Sequence, residues 1–424
     1  MGYGVGGGHA EDGEDLCTAD TVAGVVSDRL PLRIRAFEPA VPVVLAPMAG
    51  VTNAAFRAMC RSYGPDLVYV NEMVMATAVV FGNDKTQRMM TFGPDERPRS
   101  LQMYGSDPGM LRRAVHLLCD SDRVDHIDVN LGCPAAKVTR KGGGAAVAAK
   151  PALLRAIMEA AVGAASPYGV PVTAKFRMGL WDEMPNYVRT GEICAEAGVA
   201  WIALHARSVE QHYAGRAHWD AIGELKRAVP SIPVLGNGDI WQASDAVEMM
   251  RATGCDGVVV GRGCLGRPWL FGDLVEALSK RPIPPARPLA FVLDAMSRHA
   301  RLLVDLYTQF DGRAFDGRGR AGGRRRGGED LAMCDFRKHT SWYLTGYPVG
   351  PEARHALAGV STLMELYHLL GALDPSAELV EGGERIKRGH ANGPVKVALP
   401  DGYLDDLDDL TIPDDDAVLA VSGG

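Results

Sequence analysis

The chain lacks several patterns, and each absence excludes a class of protein. Its eight cysteines are scattered without a Cys-x-x-Cys pair, which argues against a zinc site and against a disulfide framework. No apolar run approaches the roughly 18 residues that a membrane span needs. The N-terminus also lacks the basic and then apolar segments of a secretory signal. We therefore expect a cytoplasmic protein with neither a metal nor a membrane partner.

Basic residues are missing from both ends of the chain. Residues 401–424 contain eight aspartates without lysine, arginine or glutamate, and residues 1–27 contain five acids without lysine or arginine. The net charge of −7 therefore hides a charge of +6 in residues 28–400. This charge permits a nucleic-acid partner, although a slightly basic globular body is an equally good interpretation. The composition predicts disordered tails at 1–27 and 376–424.

Short apolar runs alternate with amphipathic helical patterns through the first two thirds of the chain. The predicted strands are 43–46, 67–70, 100–103, 124–129, 172–176, 201–204, 234–236 and 257–260. Near-continuous apolar strands joined by helices predict a parallel sheet covered on its faces. Eight such units favour a (β/α)8 TIM barrel over residues 28–280. A doubly wound open sheet is the alternative, but the G-x-G-x-x-G turn after its first strand is missing.

A second region follows the prolines at 282–285, which read as a linker. Leucine, methionine and alanine at helical spacing predict helices at 288–309 and 329–371. They would form a small all-α domain over 286–375. Residues 311–328 hold six arginines against two aspartates and predict a flexible Arg/Gly loop. This loop would either add affinity for phosphates or be a passive insertion.

The strand predicted over 124–129 ends in the most informative turn of the chain. It leads into Asn130 and Cys133, and then into Lys137 and three glycines at 142–144. An amide and a thiol at the C-terminal end of a barrel strand lie where the chemistry of such barrels takes place. The glycines would let the loop fold over a bound substrate. From this stretch alone, a buried cysteine packed at a strand end is an equally good interpretation.

Other strand ends indicate a flavin mononucleotide (FMN). Glycine turns at 237–239 and 261–263 follow the last two strands, where barrels commonly bind phosphate. The Gln102 amide is suited to the edge of an isoalloxazine ring, and Lys175 to negative charge on a reduced flavin. Each feature alone has an ordinary structural explanation. Their convergence on one end of the barrel is what favours a cofactor site.

With these motifs the chain resembles the tRNA-dihydrouridine synthases, most closely their bacterial branch. The resemblance runs from about residue 40 to residue 370. The matching stretches are APMAGVT at 46–52, LQMYG at 101–105, DVNLGCP at 128–134, AKFRMG at 174–179, LHAR at 204–207, GNGD at 236–239, GRG at 261–263 and FRKHTSWY at 336–343. The Cys-Pro motif is specific, whereas other flavin barrels share the glycine turns.

The resemblance implies an FMN enzyme that reduces the 5,6 double bond of particular uridines in tRNA, with NADPH as the electron source. Hydride from flavin N5 would reach carbon 6 of the uracil, and Cys133 would protonate carbon 5. Asn130 and Arg177 would touch the uracil or its neighbouring phosphate. The residues implied to hold FMN are Pro47, Met48, Ala49, Gln102, Lys175, His205, Asn237, Gly238, Asp239, Gly261 and Arg262.

The resemblance also implies that the helical domain binds tRNA, through Arg337, Lys338 and His339. A solvated helix face is the ordinary interpretation of this trio. Trp342 and Tyr343 would stack on bases or pack in the core. Two rival functions remain: another FMN barrel, of the dihydroorotate or enoate reductase kind, acting on a small molecule, and a noncatalytic RNA-binding module.

Overall fold

The computed structural model describes residues 29–82, 84–310, 327–389 and 392–411. Its strands are β1 (Val43–Leu45), β2 (Val68–Tyr69), β3 (Val74–Met75), β4 (Ser100–Tyr104), β5 (His126–Leu131), β6 (Val172–Arg177), β7 (Ile202–His205), β8 (Val234–Asn237) and β9 (Gly257–Val260). Its helices are α1 (Ala54–Tyr63), α2 (Ala76–Phe81), α3 (Asp84–Met89), α4 (Pro108–Asp120), α5 (Ala136–Thr139), α6 (Pro151–Ala165), α7 (Tyr187–Glu196), α8 (Trp219–Ala228), α9 (Ala243–Thr253), α10 (Leu270–Leu278), α11 (Leu289–Thr308), α12 (Gly328–Tyr343), α13 (Pro351–Gly359) and α14 (Leu363–Gly371).

All the strand pairs are parallel, in the order β2-β1-β9-β8-β7-β6-β5-β4-β3. A parallel bridge between Val70 and Ser100 joins the end of β2 to β4, where the Asn71 N–H donates to the Ser100 carbonyl at 2.9 Å. This bridge closes the sheet into a ring, and β3 lies beside β4 as an addition. The predicted (β/α)8 TIM barrel is confirmed. The two-residue β3 is too short to leave a period in the sequence.

Strands β1 and β9 are apolar on both faces because each face is covered. In β1, Val43 and Leu45 pack outward against the helices, while Val44 packs inside the barrel. Leu32 and Ile34, from the segment that precedes β1, join the interior cluster. The alternation follows from the two-residue period of a strand. The barrel interior is therefore a packed core, which leaves the C-terminal mouth for chemistry.

Helices α11 to α14 form a second apolar core, and the barrel contributes Ala55, Met59 and Trp269 to it. The helices predicted at 288–309 and 329–371 are confirmed as α11 and as α12 to α14. None of the described helices is both long and apolar enough to cross a membrane. The disorder predicted for 1–27 falls on residues outside the described ones, and so does the predicted Arg/Gly loop apart from Gly327 and Gly328.

His339 lies inside this second core, so the prediction that it contacts tRNA is wrong. Its side chain is 0% exposed, and its ring centroid lies 4.5 Å from that of His299 and 5.8 Å from that of Phe56. Consecutive helical residues point about 100° apart. Arg337 and Lys338 can therefore reach the surface while the next residue faces inward. Tyr343, 1% exposed, also packs in the core.

The buried histidines should make stability depend on pH. Burial lowers the pKa of His299 to about 3 and lowers the pKa of His339 well below its usual value. Below pH 6.5 the unfolded chain therefore binds protons that the folded chain does not. As pH falls below 6.5, the free energy of unfolding should therefore decrease by about 1.4 kcal/mol per pH unit for each of the two histidines.

Replacing His339 by phenylalanine should remove its share of this pH dependence, because phenylalanine fits an aromatic cluster without binding a proton. Urea unfolding at neutral and mildly acidic pH measures the slope. The exposed His355 provides the control, since His355→Gln should leave the slope unchanged. An unchanged slope in His339→Phe would show that this histidine is not held neutral by burial.

The C-terminal segment differs from the disordered tail predicted at 376–424. Of its described residues, Arg388 is 2% and Tyr403 is 7% exposed. Arg388 donates hydrogen bonds to the carbonyls of Glu384, Ile386 and Gly383 among others. The aspartate-rich composition predicted a solvated tail. The same segment also contains the apolar residues Val397, Leu399 and Leu404, which pack against loops of the barrel. Residues 412–424 lie outside the described part of the chain.

Candidate active site

A cleft opens at the C-terminal ends of the strands, and the turn after β1 and the ends of β6 to β9 line it. Nine of the predicted cofactor residues line it: Pro47, Met48, Lys175, His205, Asn237, Gly238, Asp239, Gly261 and Arg262. Ala49 lies exposed in the neighbouring turn, and Gln102 is buried at 1% exposure. Neither of these two residues lines the cleft.

Two glycines let the backbone approach closely at the end of the cleft near β8 and β9. A Cβ atom on Gly263 would lie 2.1 Å from the Ile240 carbonyl oxygen, and one on Gly238 would lie 2.7 Å from the Ala217 Cβ. Gly238 also has a φ of +129°, which a side chain disfavours. Gly261 precedes a 3-10 turn (Arg262–Cys264), whose first N–H groups have no partner within the turn. Such turns suit a phosphate.

Arg262 brings a positive charge to this end of the cleft. Its guanidinium lies 4.4 Å from the Tyr213 ring centroid and 5.2 Å from that of Trp241. Its Nη2 is 3.6 Å from the Asp239 carboxylate, which accepts hydrogen bonds from Arg207 at 2.8 Å. Sequence reasoning missed Tyr213 and Trp241, because both lie in loops that carry no local motif. The one feature of the sequence that could have indicated them is that each is an aromatic residue in the loop that follows a strand, β7 for Tyr213 and β8 for Trp241.

Burial lowers the pKa of both Lys175 and His205, but the two side chains differ in charge at neutral pH. Burial first, and then the charge of Arg177, lower the pKa of Lys175 to about 8. Burial and the cations Arg177 and Lys175 lower the pKa of His205 well below its usual value. At neutral pH the cleft therefore presents a lysine that is still a cation and an imidazole that is neutral.

A chain of hydrogen bonds runs beneath the mouth from Cys133 to β6. The Cys133 backbone N–H donates to Asn130 Oδ1 at 2.9 Å, and Asn130 Nδ2 donates to Gln102 Oε1 at 2.8 Å. Gln102 Nε2 donates to Asp128 Oδ2 at 2.7 Å, and Thr173 Oγ1 donates to Asp128 Oδ1 at 2.6 Å. Because Asp128 accepts from the Gln102 amide, it orients that amide, and Gln102 in turn orients the Asn130 amide. Asn130 and Gln102 thus support the Cys133 turn.

The Cys133 thiol is suited to give a proton. Burial raises its pKa, while the Ala135 N–H, Arg177 and Lys137 lower it by less. The thiol is therefore protonated at neutral pH. Arg177, 4% exposed, donates to the Gly132 carbonyl at 3.1 Å and to the Ser208 and His212 carbonyls. It clamps the turn that carries Cys133 to the loop after β7.

The turn after β1 is held by the barrel and by the helical region. Thr52 Oγ1 accepts from the Met48 N–H at 3.0 Å, and Glu72 accepts from the Gly50 N–H at 2.7 Å. Lys338 Nζ donates to the Gly50 carbonyl. Lys338 thus contacts the barrel mouth itself. Arg337, the residue before Lys338 in α12, donates instead to the Val360 carbonyl at 2.8 Å.

Polar side chains and glycine turns at the C-terminal ends of barrel strands define a (β/α)8-barrel enzyme. The family model for dihydrouridine synthase (Dus) matches residues 44–314. The probable tRNA-dihydrouridine synthase of Mycobacterium tuberculosis H37Rv is 46% identical over 389 residues, covering 90% of this chain and 95% of the relative. That of Mycobacterium leprae is 46% identical over 395 residues, covering 87% and 97%. tRNA-dihydrouridine synthase B of Shewanella oneidensis is 35% identical over 302 residues, covering 71% and 86%.

The chain therefore belongs to the dihydrouridine synthase family. The tRNA-dihydrouridine synthases of this family reduce uridine in tRNA, and the resemblance predicted from the sequence motifs is confirmed.

Proposed function

We propose that this enzyme uses FMN, reduced by NADPH, to convert particular uridines of tRNA to dihydrouridine, with Cys133 as the proton donor. One observation carries the proposal. A protonated thiol and a glycine-lined cleft lie at the same mouth, and the chain of hydrogen bonds through Asn130, Gln102 and Asp128 supports the thiol from below. Since the substrate is tRNA, we expect the enzyme to act in the cytoplasm.

The charged side chains and glycine turns that line the cleft suit FMN. The turns at Gly238 and Gly263 and the Arg262 guanidinium would hold the phosphate, because backbone N–H groups and a fixed cation suit a dianion. Met48 and Lys175, which also line the cleft, would contact the ring. When bound, FMN supplies the hydride for carbon 6 of the uracil.

The side chains around the cleft would donate the proton, stabilise charge and hold the Cys133 turn in place. Cys133 Sγ–H would give its proton to carbon 5, where negative charge develops. The Lys175 ammonium would stabilise negative charge on the cofactor side of the cleft. The neutral His205 would add a polar contact without adding a competing charge. Arg177 would keep the Cys133 turn in place.

The target uridine must leave the tRNA stack to reach this mouth, which costs a few kcal/mol. We propose that the helical domain, residues 286–375, is the tRNA platform that offsets this cost. Arg337 lies on the partly exposed side of α12, and Lys338 reaches the Gly50 turn at the mouth. The two basic residues would contact backbone phosphates close to the extruded base.

Replacing Lys175 by methionine should slow the reduction of the flavin by NADPH about 10²-fold, because the charge that stabilises the reduced cofactor is lost. The Lys175 cation is present below its pKa of about 8 and is lost above it. In the unmodified enzyme the reduction rate should therefore fall as pH rises through about 8. Stopped-flow absorbance measures both effects, and Lys175→Met should show no such inflection. An inflection that persists in the variant would assign it to another group.

The full-length enzyme tests the proposed function directly. Purified protein should carry a yellow chromophore that NADPH bleaches under anaerobic conditions. Unmodified tRNA should then restore the colour, and mass spectrometry should find dihydrouridine at defined positions. Recovery of colour with orotate or an enone, but not with tRNA, would favour a small-molecule reductase. A colourless protein that binds tRNA would favour the noncatalytic module.

A further inference from the structure

The described C-terminal residues 392–411, called here the C-terminal strap, cross the mouth of the barrel. At one end the strap pairs with the loop after β7. The Asn392 carbonyl accepts from the Tyr213 N–H at 3.3 Å and from His212 Nδ1 at 2.9 Å. The Val395 N–H donates to the Glu210 carbonyl at 2.8 Å. The strap thus holds the loop that carries Tyr213 into the cofactor cleft.

At its other end the strap packs on the loop after β5. The Tyr403 hydroxyl lies 3.3 Å from the carbonyl oxygens of both Gly142 and Ala146, which share its one proton. Lys150 Nζ lies 5.0 Å from the Tyr403 ring centroid and 3.3 Å from the Asp409 carboxylate. Tyr403 and Lys150 are only 7% and 2% exposed. This end of the strap is therefore anchored by buried polar contacts.

An apolar cluster fills the space between the two ends. It contains Ala145, Leu180 and Val209, one from each of the loops that follow β5, β6 and β7. Val397, Leu399 and Leu404 of the strap pack against it. Burial of these side chains stabilises the three loops relative to one another.

The loop that Tyr403 contacts is the one that supports Cys133. The Ala145 N–H donates to the Cys133 carbonyl at 3.2 Å. A Cβ atom on Gly144 would lie 2.9 Å from the same carbonyl oxygen, so the backbones are in close contact. A shift of residues 142–146 would therefore move Cys133. The strap lies beyond residues 44–314, which the family model matches.

We propose that the C-terminal strap is part of the active site, in which Tyr403 is a positioning residue that sets the place of Cys133 at the mouth. The strap acts through two loops, because Tyr403 holds the turn behind Cys133 and Asn392 holds the backbone of Tyr213. The part that concerns proton transfer rests on the function proposed above. The placement of the Cys133 turn is a structural statement that can be tested without turnover.

The first test separates the chemical steps in the full-length enzyme. Tyr403→Ala should leave the reduction of the flavin by NADPH unchanged. It should slow the oxidation of the reduced enzyme at saturating tRNA about 10- to 100-fold, because small misplacements of a reacting group are costly. Tyr403→Phe, which keeps the ring and loses the hydroxyl, should show a smaller loss. Leu407→Ala, an exposed position of the same strap, should behave as the unmodified enzyme.

The second test measures Cys133 itself. Iodoacetamide labelling followed by peptide mass mapping should show Cys133 alkylated faster in both Tyr403 variants than in Leu407→Ala, because the turn behind Cys133 is released. Cys133→Ala identifies the labelled peptide. If Tyr403→Ala does not retain flavin, the labelling and turnover of Tyr403→Phe decide the question.

The outcomes separate the two proposals. Full turnover in Cys133→Ala would overturn the proton-donor assignment, while the labelling rates would still report on the strap. Tyr403 variants that match Leu407→Ala in both oxidation rate and labelling rate, and differ only in melting temperature, would overturn the positioning role. Slower oxidation with faster labelling of Cys133 supports it.

Discussion

Replacing Cys133 by alanine should slow the oxidation of the reduced enzyme by tRNA about 10²- to 10⁴-fold, the usual contribution of a positioned acid. Flavin binding and the reduction of the flavin by NADPH should be unaffected, because the Cys133 side chain does not line the cofactor cleft. Rapid mixing of reduced enzyme with tRNA measures the oxidation step. Mass spectrometry of the tRNA measures the product.

The control for this variant is Cys334→Ala, at a partly buried cysteine of α12 in the helical region. It should turn over normally. Because burial raises the pKa of Cys133, the thiol stays protonated through neutral pH. The oxidation rate should fall only as pH rises through that raised pKa. A Cys133→Ala enzyme that forms dihydrouridine at the normal rate would exclude the thiol as the acid.

Replacing Glu96 by alanine should lower the free energy of unfolding by about 3–5 kcal/mol, because it leaves a buried charge unpaired. Its partner Arg57, in α1, is 0% exposed and donates to the Glu96 carboxylate at 2.5 and 2.9 Å. Arg57 also donates to the Thr52 carbonyl at 2.7 Å and to Asn71 Oδ1 at 2.9 Å. The variant should therefore also bind flavin less well, because Thr52 belongs to the turn after β1.

Urea unfolding compares this variant with two others. Asp95→Ala, at the exposed neighbouring position, should cost little. The double change Arg57→Met with Glu96→Leu should recover much of the lost stability, since removing both charges avoids the unpaired one. A double variant as unstable as Glu96→Ala would show that the packing of Arg57, rather than its charge, is what stabilises this region.

The barrel and the position of its mouth could be predicted because they depend on local patterns. Apolar runs of strand length, such as 257–260, separated by helical spacing predict a parallel sheet whatever lies farther along the chain. In such a sheet the strand ends meet at one edge. Lys175 and the glycine turns at 237–239 and 261–263 were therefore predicted to lie together, and the structure brings them into one cleft.

The roles within that mouth could not be read from strand ends alone. Gln102 was predicted to face the flavin, but both ends of its amide bind side chains of the protein, namely those of Asp128 and Asn130. Arg177 was predicted to face the substrate, but it clamps three backbone carbonyls. A strand end supplies the residue type and its approximate place. The direction and partners of the side chain depend on neighbouring strands.

The sequence alone was sufficient for the barrel, for the polar residues that lie together at its mouth and for the family, because period, turn residues and motif are properties of short segments. Which side chains are buried depends on distant segments, and burial decided the roles of His339 and Tyr403. In the sequence His339 is one of three consecutive basic residues, but in the structure α1 and α11 cover it. Tyr403 reads as part of an acidic tail, but its hydroxyl binds carbonyls 261 and 257 positions earlier in the chain. Only the folded chain brings such groups together, and with them the strap that holds the loop of Cys133.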